Sequence, residues 1–181
     1  MKTRIYITTV IILLFCMAEL SAQARFYDTD RTFHEQGFTY VSNSGGGPLV
    51  SLHNRDRKWD QIPVYRDGRQ IPWLDPLPPQ FQTNTAIQMD RLALSIINNA
   101  FTPAEMGRIR GYRLRVTLNV DSQTGRVDDV IFRFLKMGGF ATIPVSTYRR
   151  IELELKDRIQ YAITDEGRRR TYLITTIIFE P

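Results

Sequence analysis

Between residues 113 and 135 the chain alternates apolar and polar side chains with a period of two, and no other stretch restricts the fold as tightly. Leu114, Val116, Leu118 and Val120 take one side, and Arg113, Arg115, Thr117 and Asn119 the other. Successive strand residues point to opposite faces, so this pattern is a strand with one face in a core. After a loop over residues 121–126 that contains Gly125, Val130, Phe132 and Phe134 resume the alternation against Asp129, Ile131 and Arg133. Two strands joined this way make an antiparallel hairpin with a single apolar face, and such a face needs a cover.

The cover follows directly. Lys136-Met137-Gly138-Gly139 breaks the second strand, and residues 144–147 open a helix whose buried stripe is Tyr148, Ile151, Leu155, Ile159 and Ala162. Asp165-Glu166-Gly167 ends that helix, and residues 171–179 form a last β-branched strand. The order strand, strand, helix, strand predicts an α+β fold with a small antiparallel sheet, the helix lying across the hairpin and the last strand joining the sheet. A preceding helix is capped by Thr83-Asn84-Thr85 and buries Met89, Leu92, Ala93, Ile96, Ile97 and Ala100 at three- and four-residue spacing. Thr102-Pro103-Ala104-Glu105 reads as a capping box with proline at the first helical position, opening a short helix that stops near Gly107.

Upstream, residues 25–71 form a β-rich region. Phe38-Thr39-Tyr40-Val41 and Leu49-Val50-Ser51-Leu52 flank a glycine-rich loop and make a hairpin, and Asp67-Gly68 makes a second tight reversal between residues 62–65 and Gln70-Ile71. Residues 72–82 hold four prolines within the first eight positions and read as a stiff linker, partly packed through Trp73 and Leu74. Residues 83–181 are then the α+β unit.

Residues 1–24 have the form of a secretory signal: Lys2 and Arg4, an unbroken apolar run from Val10 to Ala18, and an Ala22-x-Ala24 exit. The run is shorter than the roughly 20 apolar residues of a transmembrane helix. Cleavage after Ala24 predicts an exported protein, periplasmic or associated with the outer membrane, with no transmembrane segment left. The alternative is acylation at Cys16, although Phe15 stands where a small residue is expected. The chain has one cysteine, so a cleaved form has none, which excludes disulfides, thiolate metal sites and a cysteine nucleophile.

Two resemblances are carried by particular residues. Residues 116–121, then Gly125, Val127 and Val130-Ile131-Phe132, followed by a helix and a terminal strand, resemble the TonB C-terminal domain. Thr32-Phe33-His34-Glu35-Gln36-Gly37-Phe38-Thr39-Tyr40, Val50-Ser51-Leu52-His53-Asn54 and Tyr65-Arg66-Asp67-Gly68 resemble the N-terminal region of exported Bacteroides-group proteins with a domain of unknown function. The second likeness implies export and architecture and no activity. The first does not imply energy transduction, because a cleavable signal stands in place of an anchor and no long proline-rich spacer is present.

Catalytic constellations are sparse. His34 and His53 are the two imidazoles, nineteen positions apart on strand-like segments, and match no metal or catalytic motif. Asp28-x-Asp30 and Asp56-x-x-x-Asp60 lack the further ligands of a calcium loop. Asp128-Asp129 on a strand should face opposite ways, and Glu152 and Glu154 diverge on a helix, so neither is an acid/base pair. No cofactor and no metal site are expected.

Arginine is the more informative population. With 24 Lys and Arg against 19 Asp and Glu, mixed along the whole chain, a nucleic-acid binder is not indicated. Arg113 and Arg115 fall on the polar face of the first core strand, with Arg133 beside them across the ladder, and Arg168, Arg169 and Arg170 precede the last strand. These six are the candidate binding residues, either solvated and paired to Asp129, Asp165 and Glu166 or facing an anionic partner. The leading expectation is a non-enzymatic envelope module that binds or assembles with another envelope protein through its sheet edge or face. The alternative is a binder of anionic glycan or lipid phosphate, and the third reading is a hydrolase built on His34 or His53.

Overall fold

The computed structural model describes residues 25–35, 37–59, 62–70 and 79–181. The signal-like residues 1–24, and Trp73 and Leu74 of the linker, lie outside the described residues. The chain runs β1 (Arg31–Glu35), β2 (Phe38–Asn43), β3 (Leu49–Asn54), β4 (Tyr65–Arg66), β5 (Arg69–Gln70), α1 (Thr83–Ala100), α2 (Pro103–Ile109), β6 (Leu114–Asp121) and β7 (Val127–Leu135). A 3₁₀ turn (Gly139–Thr142), α3 (Val145–Arg158), α4 (Asp165–Arg168) and β8 (Tyr172–Phe179) complete it. One six-stranded antiparallel sheet has the order β1-β2-β3-β7-β6-β8, and β4 and β5 form a separate two-stranded ribbon. The expected α+β fold is therefore the observed one, with both N-terminal hairpins and the β6–β7 hairpin in place. β3 pairs with β7 from Leu49↔Leu135 to His53↔Ile131, so strands from both sides of the proline-rich segment share one sheet.

The period-two pattern does what it predicts. Leu114, Val116, Leu118, Val120, Phe132 and Phe134 are buried on the inner face, under Ala93, Ile96 and Ile97 of α1 and Tyr148, Ile151 and Leu155 of α3. Removing a large apolar side chain from water stabilises by about 1.5–3 kcal/mol, and this face removes a continuous row of them. Tyr27 is also in the core, donating its hydroxyl to the Ile143 carbonyl at 2.9 Å and packing edge-on against Phe134 and Tyr148.

Helix ends differ from expectation where tertiary contacts intervene. α1 starts at Thr83 behind Gln82, which makes no side-chain cap; instead the Gln82 N–H donates to the Ala162 carbonyl at 2.9 Å. α2 has the expected capping box between Thr102 and Glu105 but runs past Gly107 to the buried Ile109, and the reversal comes at Gly111, whose φ is +77°. Glu105 also accepts from the Thr147 hydroxyl at 3.2 Å. Thr102→Ala should lower stability by about 1 kcal/mol, measured by denaturant unfolding. α3 stops at Arg158 rather than near Ile163, because Tyr161 N–H donates to the Gly125 carbonyl at 2.9 Å and Gln160 bridges Arg126, drawing the chain across to the β6–β7 turn. Asp165-Glu166-Gly167 is then not a stop but the body of α4, capped by the Thr164 side chain.

Candidate functional site

The outer face of the sheet, away from the helices, carries Arg115, Thr117, Asn119, Arg133, Ile131 and Asp129, as the register demands. Its two ends differ. At one end residues 57–59 fold over the sheet. The buried Asp129 carboxylate accepts from Lys58 N–H at 3.0 Å and Trp59 N–H at 2.9 Å, and Asp128 accepts from the Lys58 ammonium at 2.8 Å and the Trp59 indole at 2.9 Å. Trp59 then stacks on Tyr172, ring centres 4.9 Å apart.

Two expectations are corrected here. Asp128 and Asp129 do not serve opposite sides, because the ladder shifts register between Asn119↔Asp129 and Val120↔Val127. The extra residue is a β-bulge, which re-aims a side chain that strict alternation would turn away. Nor does Asp129 pair with the arginines, since its oxygens are taken by the 58–59 backbone. Asp121, capping the turn, is also part of this acidic end. Burial pushes its carboxyl up, but the Thr124 N–H, the Lys58 ammonium, the Thr124 hydroxyl and the Gln123 N–H outweigh that and hold it at about 2.

The other end is basic and open. Arg113, Arg115 and Arg133 line one cleft of about 800 Å³, together with Leu49, Tyr112, Leu135 and Glu180. Arg115 and Arg133 stand directly opposite on β6 and β7. Arg113 pairs with Glu180. Among the described residues no carboxylate pairs with Arg115 or Arg133, and Arg133 donates only to the Thr117 hydroxyl, at 3.4 Å. Burial first, and then the cations of Arg115 and Arg57, push the Arg133 pKa down. A guanidinium does not shed its proton near neutral pH, so Arg133 and Arg115 face one another as two cations.

The cleft also has an apolar side that sequence reasoning missed. Leu49 and Leu135, opposite one another across β3 and β7, are about half exposed, at 53% and 48%. Tyr112 enters just after Gly111. The period-two pattern that sets Arg133 outward also sets Leu135 outward, so the signal was available in β7. The pairing of Leu49 to it was not, because it needs the β3–β7 register.

Arg168, Arg169 and Arg170 are not part of this cleft. Arg168 donates to the Gln123 carbonyl at 3.0 Å, Arg169 forks onto Asp67 in the β4–β5 turn, and the buried Arg170 lies 3.7 Å from Glu166. Glu166 also pairs with Arg66 at 2.9 Å. This cluster holds the β4–β5 ribbon and α4 together. His34 lies on edge strand β1 and meets the Thr39 hydroxyl at 3.3 Å, while His53 lies on β3 beside the Asn54 carbonyl at 3.1 Å. Neither lines the arginine cleft. Asp30 accepts from Ser44 N–H at 2.8 Å and Ser44 hydroxyl at 3.0 Å, which with Lys136 hold its carboxyl below the usual range, the Ser44 N–H being the largest cause. Asp60 lies outside the described residues. No helix among the described residues is long and apolar enough to cross a membrane.

A family model described as a domain of unknown function, DUF5043, matches residues 23–177. The fold is similar to the crystal structure of a DUF5043 family protein from Bacteroides uniformis ATCC 8492, with a TM-score of 0.76 and 25% identity over 88% of this chain and 89% of that chain. No curated protein matches the chain.

Proposed function

Because this chain belongs to the DUF5043 family, whose description assigns no activity, its role must be read from its own surface, and we propose that it is a non-enzymatic binding module of the cell envelope whose outer-face cleft takes an anionic group. The observation that carries this reading is the facing pair Arg115 and Arg133, with which no described carboxylate pairs, set beside the Arg113–Glu180 pair in one cleft. Like charges opposite one another on a ladder oppose folding. An anion bridging the two guanidinia removes that penalty and gains charge-assisted hydrogen bonds. Leu49, Leu135 and Tyr112 suit the carbon skeleton to which such an anion is attached, whether the ring of an acidic glycan or the glycerol and acyl portion of a lipid phosphate. The envelope assignment rests on the signal-like form of residues 1–24.

The test is binding of polygalacturonate in solution and of phosphatidylglycerol vesicles, each at low and at high salt. Arg115→Ala with Arg133→Ala should weaken binding of the preferred ligand at least tenfold, since each lost hydrogen bond to a charged group contributes about 1.5–3 kcal/mol. High salt should weaken the unsubstituted protein in the same direction. Binding indifferent to both salt and the substitutions would refute the proposal, and the two ligands tell glycan from lipid.

A second reading, a protein contact made through the sheet edge, is favoured by the position of β8 as an outer strand. The resemblance of residues 116–179 to the TonB C-terminal domain supports it as well.

A further inference from the structure

The two edges of the six-stranded sheet are built differently. β1 is five residues long and carries Arg31 and Glu35, the charged side chains by which edge strands resist pairing with another chain. β8 is eight residues long, Tyr-Leu-Ile-Thr-Thr-Ile-Ile-Phe, with no charge, no proline and no register shift against β6. Among the described residues no strand lies beyond it. Its outer-face residues Ile174 and Ile178 are 42% and 40% exposed, with the exposed Thr176 between them.

We propose that the β8 edge pairs with the β8 edge of a second copy of this chain, antiparallel about Thr176, to make a continuous twelve-stranded sheet. The proposal rests on the edge-contact reading above and is independent of the arginine cleft.

Three observations select this occupant and this register. The first is symmetry. A two-fold axis normal to the sheet keeps both helical layers on one side and sets residues of the same face opposite one another. Centred on Thr176, it places each copy's exposed Ile174 against the other's exposed Ile178, with threonine against threonine between them. Centring it on Thr175 would instead oppose Ile174 to Thr176 and Ile178 to Tyr172, leaving the isoleucines apart. The second is the room along the edge. The β4–β5 ribbon is fastened beside Arg170 and Thr171, with Thr171 N–H donating to the Tyr65 carbonyl at 3.0 Å, and the Tyr172 hydroxyl donates to the Ile62 carbonyl at 2.9 Å, so the described segments that flank β8 meet it at its Tyr172 end. In the Thr176 register the central pairs, from Ile174 against Ile178 to Ile178 against Ile174, fall beyond that end. The third is the flank. A groove of about 620 Å³ lies between α1 and the end of β8, lined by Leu94, Ser95, Asn98, Ile178, Phe179 and Glu180. Leu94 is exposed, and so is Ile87 two helical turns before it. The two-fold axis puts both α1 helices on the same side of the joined sheet, so the groove flanks the seam, with the exposed Arg91 between Ile87 and Leu94 on the helix.

The full chain carrying Cys16→Ser is the material for the test, so that an introduced thiol stands alone. Sedimentation at tens of micromolar should give a mass of two copies that falls toward one on dilution. Thr176→Lys sets two ammonium groups side by side on the axis and should weaken association at least tenfold, leaving the circular dichroism spectrum unchanged because the side chain is exposed. Thr176→Cys should form an intermolecular disulfide on mild oxidation, since facing antiparallel residues lie about 4.5–5.5 Å apart between Cα atoms. Thr175→Cys, which points to the other face and meets Ile177, should not. A one-copy mass at 100 micromolar, a Thr176→Lys dimer as tight as the original, or equal crosslinking at positions 175 and 176 would each overturn the proposal. Arg115→Ala with Arg133→Ala should leave the mass unchanged, which separates a failure here from a failure of the anion cleft.

Discussion

Gly125→Ala is expected to lower stability by about 2–6 kcal/mol, the sum of two independent penalties. Gly125 has a φ of +74°, and a residue with a Cβ held there costs about 1–3 kcal/mol in backbone strain. An added Cβ would also lie 1.9 Å from the Tyr161 carbonyl oxygen, well inside contact distance, and relieving that overlap costs about 1–3 kcal/mol more. The overlap is not cheap to avoid. The neighbouring Tyr161 N–H is bound to the Gly125 carbonyl, and Gln160 reaches the Thr124 carbonyl at 2.9 Å, so moving one strand of this contact breaks the other. Gly46→Ala and Gly139→Ala are the controls. Gly46 has a φ of +76° with no atom within 4 Å of the added Cβ, so it isolates the backbone penalty. Gly139 has no such φ but would place its Cβ 1.9 Å from the Arg108 carbonyl oxygen, isolating the overlap. Thermal unfolding should rank Gly125→Ala worst, with a loss of about 2–4 °C per kcal/mol in a chain of this size. A Gly125→Ala protein no less stable than Gly46→Ala would show that the close approach to Tyr161 is wrong.

Glu152→Ala is the second large effect, expected at about 3–5 kcal/mol. Glu152 is buried on α3, accepts from the Tyr40 hydroxyl of β2 and from Arg149 at 3.2 Å, and forms an ion pair with Lys156 at 2.7 Å. Arg149 is itself buried, with its guanidinium over the Phe38 ring. Truncating Glu152 leaves that cation without its carboxylate in a low-dielectric setting, which is why removing one member of a buried pair costs far more than the pair contributes. The pH dependence has a definite sign. Burial raises the Glu152 carboxyl above its ordinary value of 4.5 despite Lys156, so the folded protein holds the proton more tightly than the unfolded chain. This group therefore disfavours folding only once it ionises: the penalty is absent below pH 4.5 and grows as the pH climbs through the raised value. Glu152→Gln lacks that slope. Denaturant midpoints of the two proteins, compared from pH 4 to 8, should show the original losing ground to the Gln variant as pH rises, and an opposite trend would overturn the assignment.

How far the sequence carried depended on the range of the interaction. The β6–β7 hairpin, the α1 stripe, the Thr102–Glu105 box and the Asp67-Gly68 turn are set by residues within a few positions of one another, and each was legible. The end of α3 was not, because Ile159 and Tyr161 continue the apolar pattern while a hydrogen bond to Gly125 ends the helix. The bulge at Asp128 left no mark in an alternation that skips it. The three clustered arginines Arg113, Arg115 and Arg133 were visible as one face of a ladder, but the lack of a carboxylate partner for Arg115 and Arg133 among the described residues was not. That depends on residues 58 and 59, seventy positions away, occupying Asp129. Arg168, Arg169 and Arg170 looked like more of the same charge; Glu166 on α4 was a foreseen partner, but Asp67, which holds Arg169 from the β4–β5 turn, and the Gln123 carbonyl, which takes Arg168, are distant in sequence.

The division of the outer face into a covered acidic end and an open basic one gives this small protein a direction. Lys58 answers Asp121 and Asp128 at the covered end, and Glu166 and Asp67 answer Arg169 and Arg170 near α4, whereas on the outer face Arg115 and Arg133 have no carboxylate partner among the described residues. If the cleft takes an anionic group as proposed, the field of a negatively charged layer would turn the molecule so that this end arrives foremost. Under the two-fold pairing proposed for β8, both copies present this face to the same side.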